Sequence, residues 1–315
     1  MNYWKTLTLV TALCSAGASA ATPLIDEKFD DASLSGRGWY DSTNQTISKT
    51  ERIPGSNGSL HYLFKAGATT PVSGGAMRRT FPETDSVYLS YYIKHSSNWV
   101  GSGRSYHPHQ FHFLTNLDDK WSGLAQTYLT VYVEENGGRM QFVIQDTKNI
   151  DQGQINRNLV NVTEARGVAG CNGDSDGYGA GDCYSAGSLY RNGKSWKAKS
   201  VSFTDAQGPN YKGDWHRVET FIKLNSIVNG KGVADGVVKM WIDGELILNH
   251  TNILLRTGQH PNMRFNQLAI GPYIGDGSPV EQSFWIDDLI VAKERPAAGQ
   301  SRPSAPTNLR SAPKS

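Results

Sequence analysis

The stretch WHRVETFIKLNSIVNGKGVADGVVKMWIDGELI, residues 215–247, carries the clearest strand signal in this chain. Two runs rich in β-branched and aromatic residues, Val218–Leu224 and Gly236–Ile242, flank a glycine-rich connection and predict two strands. The pair Asp243-Gly244 that follows predicts a tight hairpin turn. Mostly apolar side chains alternate with charged ones along the first run, which is typical of an antiparallel sheet with one face in the core.

The rest of the chain repeats this pattern of short strands separated by turns. Val87–Lys94, Met140–Asp146 and Ser283–Val291 have the composition of strands, whereas Pro54-Gly55 and Gly74-Gly75 are typical of turns. The 315 residues include 33 Gly, 14 Tyr and 8 Trp, and few segments have a helical period, which favours an all-β protein. This length suits one large sandwich, so we predict a single domain over residues 21–294.

Both ends of the chain differ in composition from its centre. Residues 1–20 combine a basic start, an apolar run at Leu7–Cys14 and a small-residue ending, which predicts a signal peptide cut before Ala21. We therefore expect a secreted or periplasmic protein. Residues 295–315 are rich in Pro, Ser and Ala and predict a linker or a disordered tail.

Charge and hydropathy narrow the classes of partner. The formal net charge of +2 becomes +1 when Lys5 leaves with the signal peptide, and a near-neutral chain argues against a nucleic-acid partner. No later run is long and apolar enough to cross a bilayer, so we expect no membrane partner. We also expect the mature protein to be a monomer.

Two cysteines remain after the signal peptide, Cys171 and Cys183. Because they lie close together in a chain that we expect to be exported, they predict a disulfide that closes a loop rich in Gly and Asp. The alternative interpretation is a pair of free, buried thiols.

The same loop resembles the first half of a calcium-binding loop. Asn172, Asp174 and Asp176 fall at alternating positions before a glycine, as loops of oxygen ligands require. Cys183 occupies the place of the closing glutamate, and Asp182 is the substitute ligand. Two interpretations of this loop stay open: it binds a structural calcium ion, or it is a solvated loop without metal.

Three motifs together resemble a known fold family. They are W-x-x-V-E-x-x-I-K-L-N with the hairpin D-G-V-x-K-M-W-I-D-G, then RFNQLAIGPYIGDG, and then SFWIDDLIVA near the C-terminal end. These motifs resemble the concanavalin A-like jelly rolls and, among them, the polysaccharide lyases of the alginate and glucuronan lyase type. The resemblance covers Phe29 to Val291. It implies a β-sandwich of two antiparallel sheets, with Val87–Lys94 as an inner strand of the sheet beneath the sugar.

The segment GSGRSYHPHQFHFLTN, residues 101–116, holds three of the eight histidines. If residues 109–115 form a strand, alternation places Gln110 and His112 together on the open face, and His109 on the core face with two phenylalanines. The Gln-x-His pair resembles the one in alginate lyases of this fold, in which a glutamine and a histidine lie side by side under the uronic acid.

β-Elimination from a uronic acid needs three kinds of group. A donor neutralises the carboxylate, a base removes the proton on the adjacent carbon, and an acid protonates the leaving oxygen. By residue type we predict Gln110 with Arg104 or Arg264 as donors, His112 as the base, and Tyr92, Tyr132 or Tyr273 as the acid. The candidate catalytic residues are Arg104, Gln110, His112, Tyr132 and Lys94. The candidate substrate-binding residues, including a tyrosine ladder suited to sugar stacking, are Tyr92, Tyr128, His107, His109, Arg264 and Tyr273.

Other interpretations of the histidine cluster stay open. His107, His109 and His112 are residue types that bind transition metals, but no carboxylate or cysteine is close in sequence, so we favour catalysis. An exposed cluster that only forms hydrogen bonds is the third alternative.

The prediction is a secreted lyase that cleaves an acidic polysaccharide and needs no cofactor for its chemistry. A non-catalytic carbohydrate-binding module is the alternative, since the tyrosine ladder and a calcium ion would suffice for binding. Hydrolysis is less favoured because the E-x-D-x-x-E motif of laminarinase-like relatives lacks its second glutamate here, where Tyr88 stands.

Overall fold

The structure is a computed structural model that describes residues 22–296 except 105, 125, 147, 149–176 and 179–192. Within these residues the chain forms two eight-stranded sheets and one two-stranded sheet. The strands of both large sheets pair antiparallel. The prediction of an all-β protein with two antiparallel sheets is confirmed.

One large sheet, here called the hairpin sheet, contains the two strands predicted from residues 218–224 and 236–242. Its strands are β1 (Ile25–Glu27), β3 (Thr46–Ser48), β4 (Ser59–Phe64), β6 (Ser86–His95), β12 (His216–Lys223), β15 (Gly236–Ile242), β16 (Glu245–Ile253) and β18 (Gln282–Ala292). Their order is β16-β15-β12-β6-β18-β4-β3, and β1 pairs with β18. The two predicted runs are thus confirmed as the paired strands β12 and β15.

The other large sheet, here called the histidine sheet, contains the strand that begins at His109. Its strands are β2 (Tyr40–Asp41), β5 (Met77–Thr84), β7 (His109–Thr115), β8 (Thr130–Asn136), β9 (Arg139–Gln145), β10 (Gly177–Tyr178), β11 (Gly193–Lys197) and β17 (Phe265–Tyr273). Their order is β10-β11-β9-β8-β7-β17-β5-β2. The remaining elements are β13 (Ile227–Val228), β14 (Lys231–Gly232) and a 3-10 turn at Ser35–Arg37.

The two large sheets bury their apolar faces against each other. Tyr91 on β6 contacts Phe111 on β7 across the core, with ring centroids 4.4 Å apart. Phe113 and Phe142 of the histidine sheet and Ile286 of the hairpin sheet belong to the same buried cluster. Since neighbouring side chains on a strand point to opposite faces, this core directs every second residue of β7 and β8 to the outer face of the histidine sheet.

Strand β6 is central, as predicted for Val87–Lys94, but it lies in the hairpin sheet and not beside the histidines. Leu89 and Ile93 belong to the core. Tyr92 and Lys94 therefore point to the outer face of the hairpin sheet, on the other side of the molecule from the histidine strand.

Several predictions lie outside the described residues. They are the signal peptide, the disulfide of Cys171 and Cys183, the calcium ligands Asn172, Asp174, Asp176 and Asp182, and the tail beyond residue 296. Across the part of the chain that is described, no helix has the length and apolar character needed to span a membrane.

Candidate active site

A row of register partners crosses the outer face of the histidine sheet. His112 on β7 lies opposite Tyr132 on β8, and on its other side it lies opposite Ala269 on β17. Ala269 pairs in turn with Arg78 on β5, and Arg78 pairs with Tyr40 on β2. Because paired residues share a face, these five side chains form one continuous line across five strands.

His109 also contributes to this face, which corrects the prediction that it would join the core. Its ring centroid lies 4.9 Å from that of Tyr132 and 5.9 Å from that of His112. His109 is the first residue of β7, and the pairing with β17 is irregular between Ile270 and Tyr273. The extra residue is on β17, so this irregularity does not itself turn β7; the outward direction of the imidazole is shown by its contacts with Tyr132, His112 and Glu134.

A buried carboxylate holds the His109 ring. Nδ1 of His109 lies 2.6 Å from Oε2 of Glu134, whose side chain is 2% exposed. The other oxygen, Oε1, accepts hydrogen bonds from Asn136 Nδ2 at 3.0 Å and Gln141 Nε2 at 2.6 Å. In the neutral imidazole the proton therefore lies on Nδ1, and Nε2 keeps a lone pair that can accept a proton.

His112 is the second imidazole of the site and is almost completely buried. Burial, and then the neighbouring His109, lower the pKa of His112 well below its ordinary value, so this ring is neutral. Its centroid lies 4.6 Å from that of Tyr132, whose hydroxyl donates to Gln145 Oε1 at 2.8 Å. Tyr132 therefore contacts both imidazoles.

Gln110 lies on the same strand, one residue after His109, and is fully buried. Neither its Nε2 nor its Oε1 has a hydrogen-bond partner among the described residues. A buried amide without partners costs about 1–3 kcal/mol, and such a group in a folded protein calls for an explanation. A ligand carboxylate could accept from Nε2, and a ligand hydroxyl could donate to Oε1.

The rim of the site is formed by His107 and the residues around it. Nδ1 of His107 accepts a hydrogen bond from the backbone N–H of Gly275 at 3.0 Å, and its ring contacts that of His109 at 4.4 Å. Burial, and then His109, lower the pKa of His107 to about 4. Tyr273 is 41% exposed and lies nearly parallel to the His109 ring, with centroids 6.4 Å apart.

Arg104 extends this rim into solvent. Its guanidinium donates to the Tyr106 hydroxyl at 3.0 Å and lies 3.5 Å from Asp276, with a side chain that is 58% exposed. The Tyr106 ring contacts His107 at 5.0 Å. Arg104 thus lies at the edge of the site, beside His107 and Tyr106, and its role as a donor to a substrate carboxylate stays a prediction.

Arg78 is the cation that sequence reasoning missed. Its guanidinium donates to Asp41 Oδ2 at 3.0 Å, to the carbonyl of Ser122 at 2.7 Å and to Gln267 Oε1 at 3.2 Å. The Arg-Arg pair at positions 78 and 79 was a signal, but only the pairing of β5 with β17 shows which arginine lies in the row. Arg78 also contributes to the lowered pKa of His112, after burial and His109.

Four predicted site residues lie elsewhere. Tyr92 and Lys94 lie on the hairpin sheet, where Lys94 pairs with Glu51 at 2.7 Å. Arg264 precedes β17 and pairs with Asp85 at 3.1 Å. Tyr128 precedes β8, and its ring contacts that of His260 at 5.2 Å.

The geometry also bears on the metal interpretation of the histidines. Within the described ranges, no group of three or more His, Cys, Asp or Glu side chains is arranged to hold a metal ion. No carboxylate is close to the histidines in sequence, but Glu134, which is 25 residues after His109, lies beside its ring. The described part of the cluster is therefore arranged as a hydrogen-bonded pair with aromatic neighbours.

Two solved structures illustrate the fold similarity. The alginate lyase vAL-1 from Chlorella virus has a TM-score of 0.54 and 10% identity, covering 87% of this chain and 100% of that one. The PL-14 alginate lyase from Aplysia kurodai has a TM-score of 0.54 and 13% identity, with coverages of 87% and 100%. These similarities confirm the predicted jelly-roll fold.

Comparison with sequences gives the family. No curated protein sequence matches the chain significantly. The family model described as "Polysaccharide lyase" matches residues 73–290, which include β7, β8 and β17 and thus the two histidines, Tyr132 and Glu134. The matched segment is more than half of the chain and contains most of both sheets. The chain therefore belongs to the polysaccharide lyase family.

Proposed function

We propose that this protein cleaves an extracellular polysaccharide that contains uronic acids, by β-elimination. One observation carries the proposal: the His109–Glu134 pair lies against Tyr132 and His112 on the outer face of the histidine sheet. An oriented imidazole beside a phenol provides both a base and an acid, which are the two proton-transfer groups that elimination requires. The alginate lyases of similar fold support the choice of a uronic acid substrate.

In this mechanism the substrate carboxylate is neutralised before proton removal. The unpartnered amide of Gln110 would donate to one carboxylate oxygen. The positive charge of Arg78 lies on the outer face of the histidine sheet, in the same row as His112. Arg104 at the rim would attract the acidic chain from solvent. Stabilising the developing charge on the carboxylate makes the proton on the adjacent carbon acidic enough to remove.

We assign the base to His109. Its side chain is 25% exposed, and its Nδ1–H is held by Glu134, so Nε2 is free to take the proton. Tyr132, adjacent to both imidazoles, would protonate the leaving glycosidic oxygen. The C–H proton passes to His109, the electron pair forms the C=C bond, and the C–O bond breaks as oxygen receives the proton of Tyr132.

The earlier assignment of the base to His112 stays a prediction that the same experiment tests. His112 is neutral and could accept a proton, but its ring is buried at the floor of the site. In the proposed mechanism it packs against Tyr132 and fixes the position of the phenol.

The test is the ultraviolet absorbance of the unsaturated uronate product, measured on alginate, glucuronan, pectin, heparin and chondroitin. We expect wild-type protein to produce this chromophore from at least one of them. His109→Ala, Tyr132→Phe and Glu134→Gln should each lower kcat by about 100-fold or more, because general acid–base catalysis contributes that much. His250→Ala, on β16 of the hairpin sheet, is the matched control and should retain activity.

Other outcomes would redirect the proposal. If His112→Ala abolishes activity while His109→Ala retains it, the base is His112. New reducing ends without the chromophore would identify a hydrolase. Retardation of the protein in a glycan-containing gel, with no cleavage of any glycan, would identify a non-catalytic binding module.

A further inference from the structure

Beyond the reaction centre, the row of register partners ends at an aromatic group on the edge of the sheet. Tyr40 on the edge strand β2 contacts Trp121, with centroids 5.0 Å apart in an edge-to-face arrangement. Trp121 is 55% exposed, among the largest exposures of any apolar side chain among the described residues. An indole open to solvent on the site face, beside a line of site residues, provides a flat apolar surface.

This aromatic group is held in place by hydrogen bonds. The Tyr40 hydroxyl donates to the carbonyl of Lys120 at 2.8 Å and accepts from Gln267 Nε2 at 2.8 Å. Gln267 Oε1 accepts in turn from Arg78, which also donates to the carbonyl of Ser122. The backbone on both sides of Trp121 is thus tied to the row, and the indole packs against the Tyr40 ring.

The charge around the indole is suited to an acidic sugar. The Lys120 ammonium lies over one face of the Trp121 ring, 5.2 Å from its centroid, and 6.0 Å from the centroid of Tyr40. The nearby carboxylate of Asp119 accepts from the backbone N–H of Trp121 at 2.7 Å through Oδ1. An apolar ring face with an adjacent cation matches the apolar CH face and the carboxylate of a uronic acid.

The spacing places this surface within reach of the same substrate chain. His112 and Tyr40 are separated by three strand spacings, from β7 through β17 and β5 to β2. Neighbouring strands lie about 4.8 Å apart, so the separation is about 14 Å, a few sugar units of an extended glycan. A polysaccharide bound across the strands at His109 would therefore continue over Trp121.

We propose that Trp121, Tyr40 and Lys120 form a remote subsite that binds a uronic acid residue a few units away from the cleaved bond. This inference rests on the proposed function for its substrate class. Binding energy from such a remote contact is available only to substrates long enough to reach it. The subsite would therefore make the enzyme prefer polymers over short oligosaccharides.

The experiment measures kcat/KM on a size-fractionated ladder of oligosaccharides and on the polymer that the wild-type protein cleaves fastest. Trp121→Ala should lower kcat/KM about tenfold on the polymer, mainly through KM, and leave the shortest cleaved oligosaccharides unaffected. Trp241→Ala is the matched control, because Trp241 also has a cation near its ring, Arg295 at 4.4 Å, but lies on the hairpin sheet. The control should show no dependence on chain length.

Two results separate failure of this inference from failure of the proposed function. Equal kcat/KM of Trp121→Ala and wild type on every length would overturn the subsite and leave the lyase in place. If wild-type protein cleaves no glycan, the lyase proposal fails, and gel retardation by acidic glycans decides the subsite. Weaker retardation of Trp121→Ala than of Trp241→Ala then supports the subsite, and equal retardation overturns it.

Discussion

His95 shows how a single buried residue can set the response of the fold to acid. Its imidazole is fully buried, and neither ring nitrogen has a hydrogen-bond partner among the described residues. Its ring contacts Trp99 at 5.0 Å and Phe203 at 4.9 Å. Burial is the largest cause that lowers the pKa of His95 to about 3, with smaller contributions from His216 and Lys212.

We expect His95→Leu to stabilise the protein, and more so in acid. An unfolded histidine titrates near its ordinary pKa of about 6.5, so below that pH only the unfolded state gains this proton. The wild type therefore loses stability as the pH falls from about 6.5 towards 3, by about 1.4 kcal/mol per pH unit from this residue. Removing the two unpartnered ring nitrogens should raise the free energy of unfolding by about 1–3 kcal/mol even at neutral pH.

Urea unfolding at pH 5.5 and pH 8 measures the effect as a difference in free energy of unfolding. His95→Gln serves as the control, because it keeps a polar group in the same apolar site but takes up no proton, so it should share the pH dependence of His95→Leu without the gain in stability at pH 8. A His95→Leu variant whose advantage is the same at both pH values would show that His95 is not the proton-binding group.

The turn of the hairpin between β15 and β16 makes a contact whose strength depends on pH. Asp243 and Gly244 have φ of 51° and 88°, which only turns rich in Asn, Asp and Gly adopt readily. Asp243 Oδ2 lies 2.8 Å from His216 Nδ1, and His216 Nε2 lies 2.9 Å from the carbonyl of Tyr211. Burial lowers the pKa of His216, but these two hydrogen bonds outweigh it and raise the pKa overall.

We expect Asp243→Asn to destabilise the protein by about 1 kcal/mol at pH 6 and by less at pH 9. The raised pKa means that the His216 contribution is fully present below about pH 6.5 and is lost as the pH rises through the folded value. Asparagine tolerates the positive φ, so the turn itself is kept, and the half-exposed Asp243 limits the effect. Thermal unfolding at both pH values measures this loss of stability. An equal loss at pH 6 and pH 9 would mean that the substitution disturbed the turn and not the interaction with charged His216.

At the scale of the whole molecule, the sandwich separates two outer faces on opposite sides of one core. The proposed chemistry lies on the histidine sheet, whereas Tyr92 and Lys94 lie on the hairpin sheet. A glycan bound over His109 cannot contact the opposite face, because the packed core lies between them.

Lys94→Ala should therefore leave kcat/KM within about twofold of wild type and cost less than about 1 kcal/mol of stability. Its partner Glu51 is 40% exposed, and ion pairs of that kind contribute little. The measurement is the same product absorbance assay, with His109→Ala as the inactive reference. A loss greater than tenfold would mean that the hairpin sheet takes part in substrate binding.

Much of the architecture was predictable because it depends on local alternation. Residues 218–224 and 236–242 alternate apolar and polar side chains, and such a pattern can bury one face only as a strand. The same rule correctly placed Phe111 and Phe113 in the core and His112 opposite them. It failed at His109, the first residue of β7, whose ring lies against Glu134 on the outer face.

The fold class, the hairpin and the histidine-containing strand can be predicted from residue order alone, because the alternation that buries one face of a strand is visible in consecutive residues. The contact of Glu134 with His109, the place of Arg78 in the same row and the absence of Lys94 from it became visible only when the strands were assembled into sheets. The physical reason is that strand order and register join residues far apart in the chain, and no local pattern specifies which strands become neighbours. The site depends on those pairings across five strands, whereas each strand depends only on its own alternation.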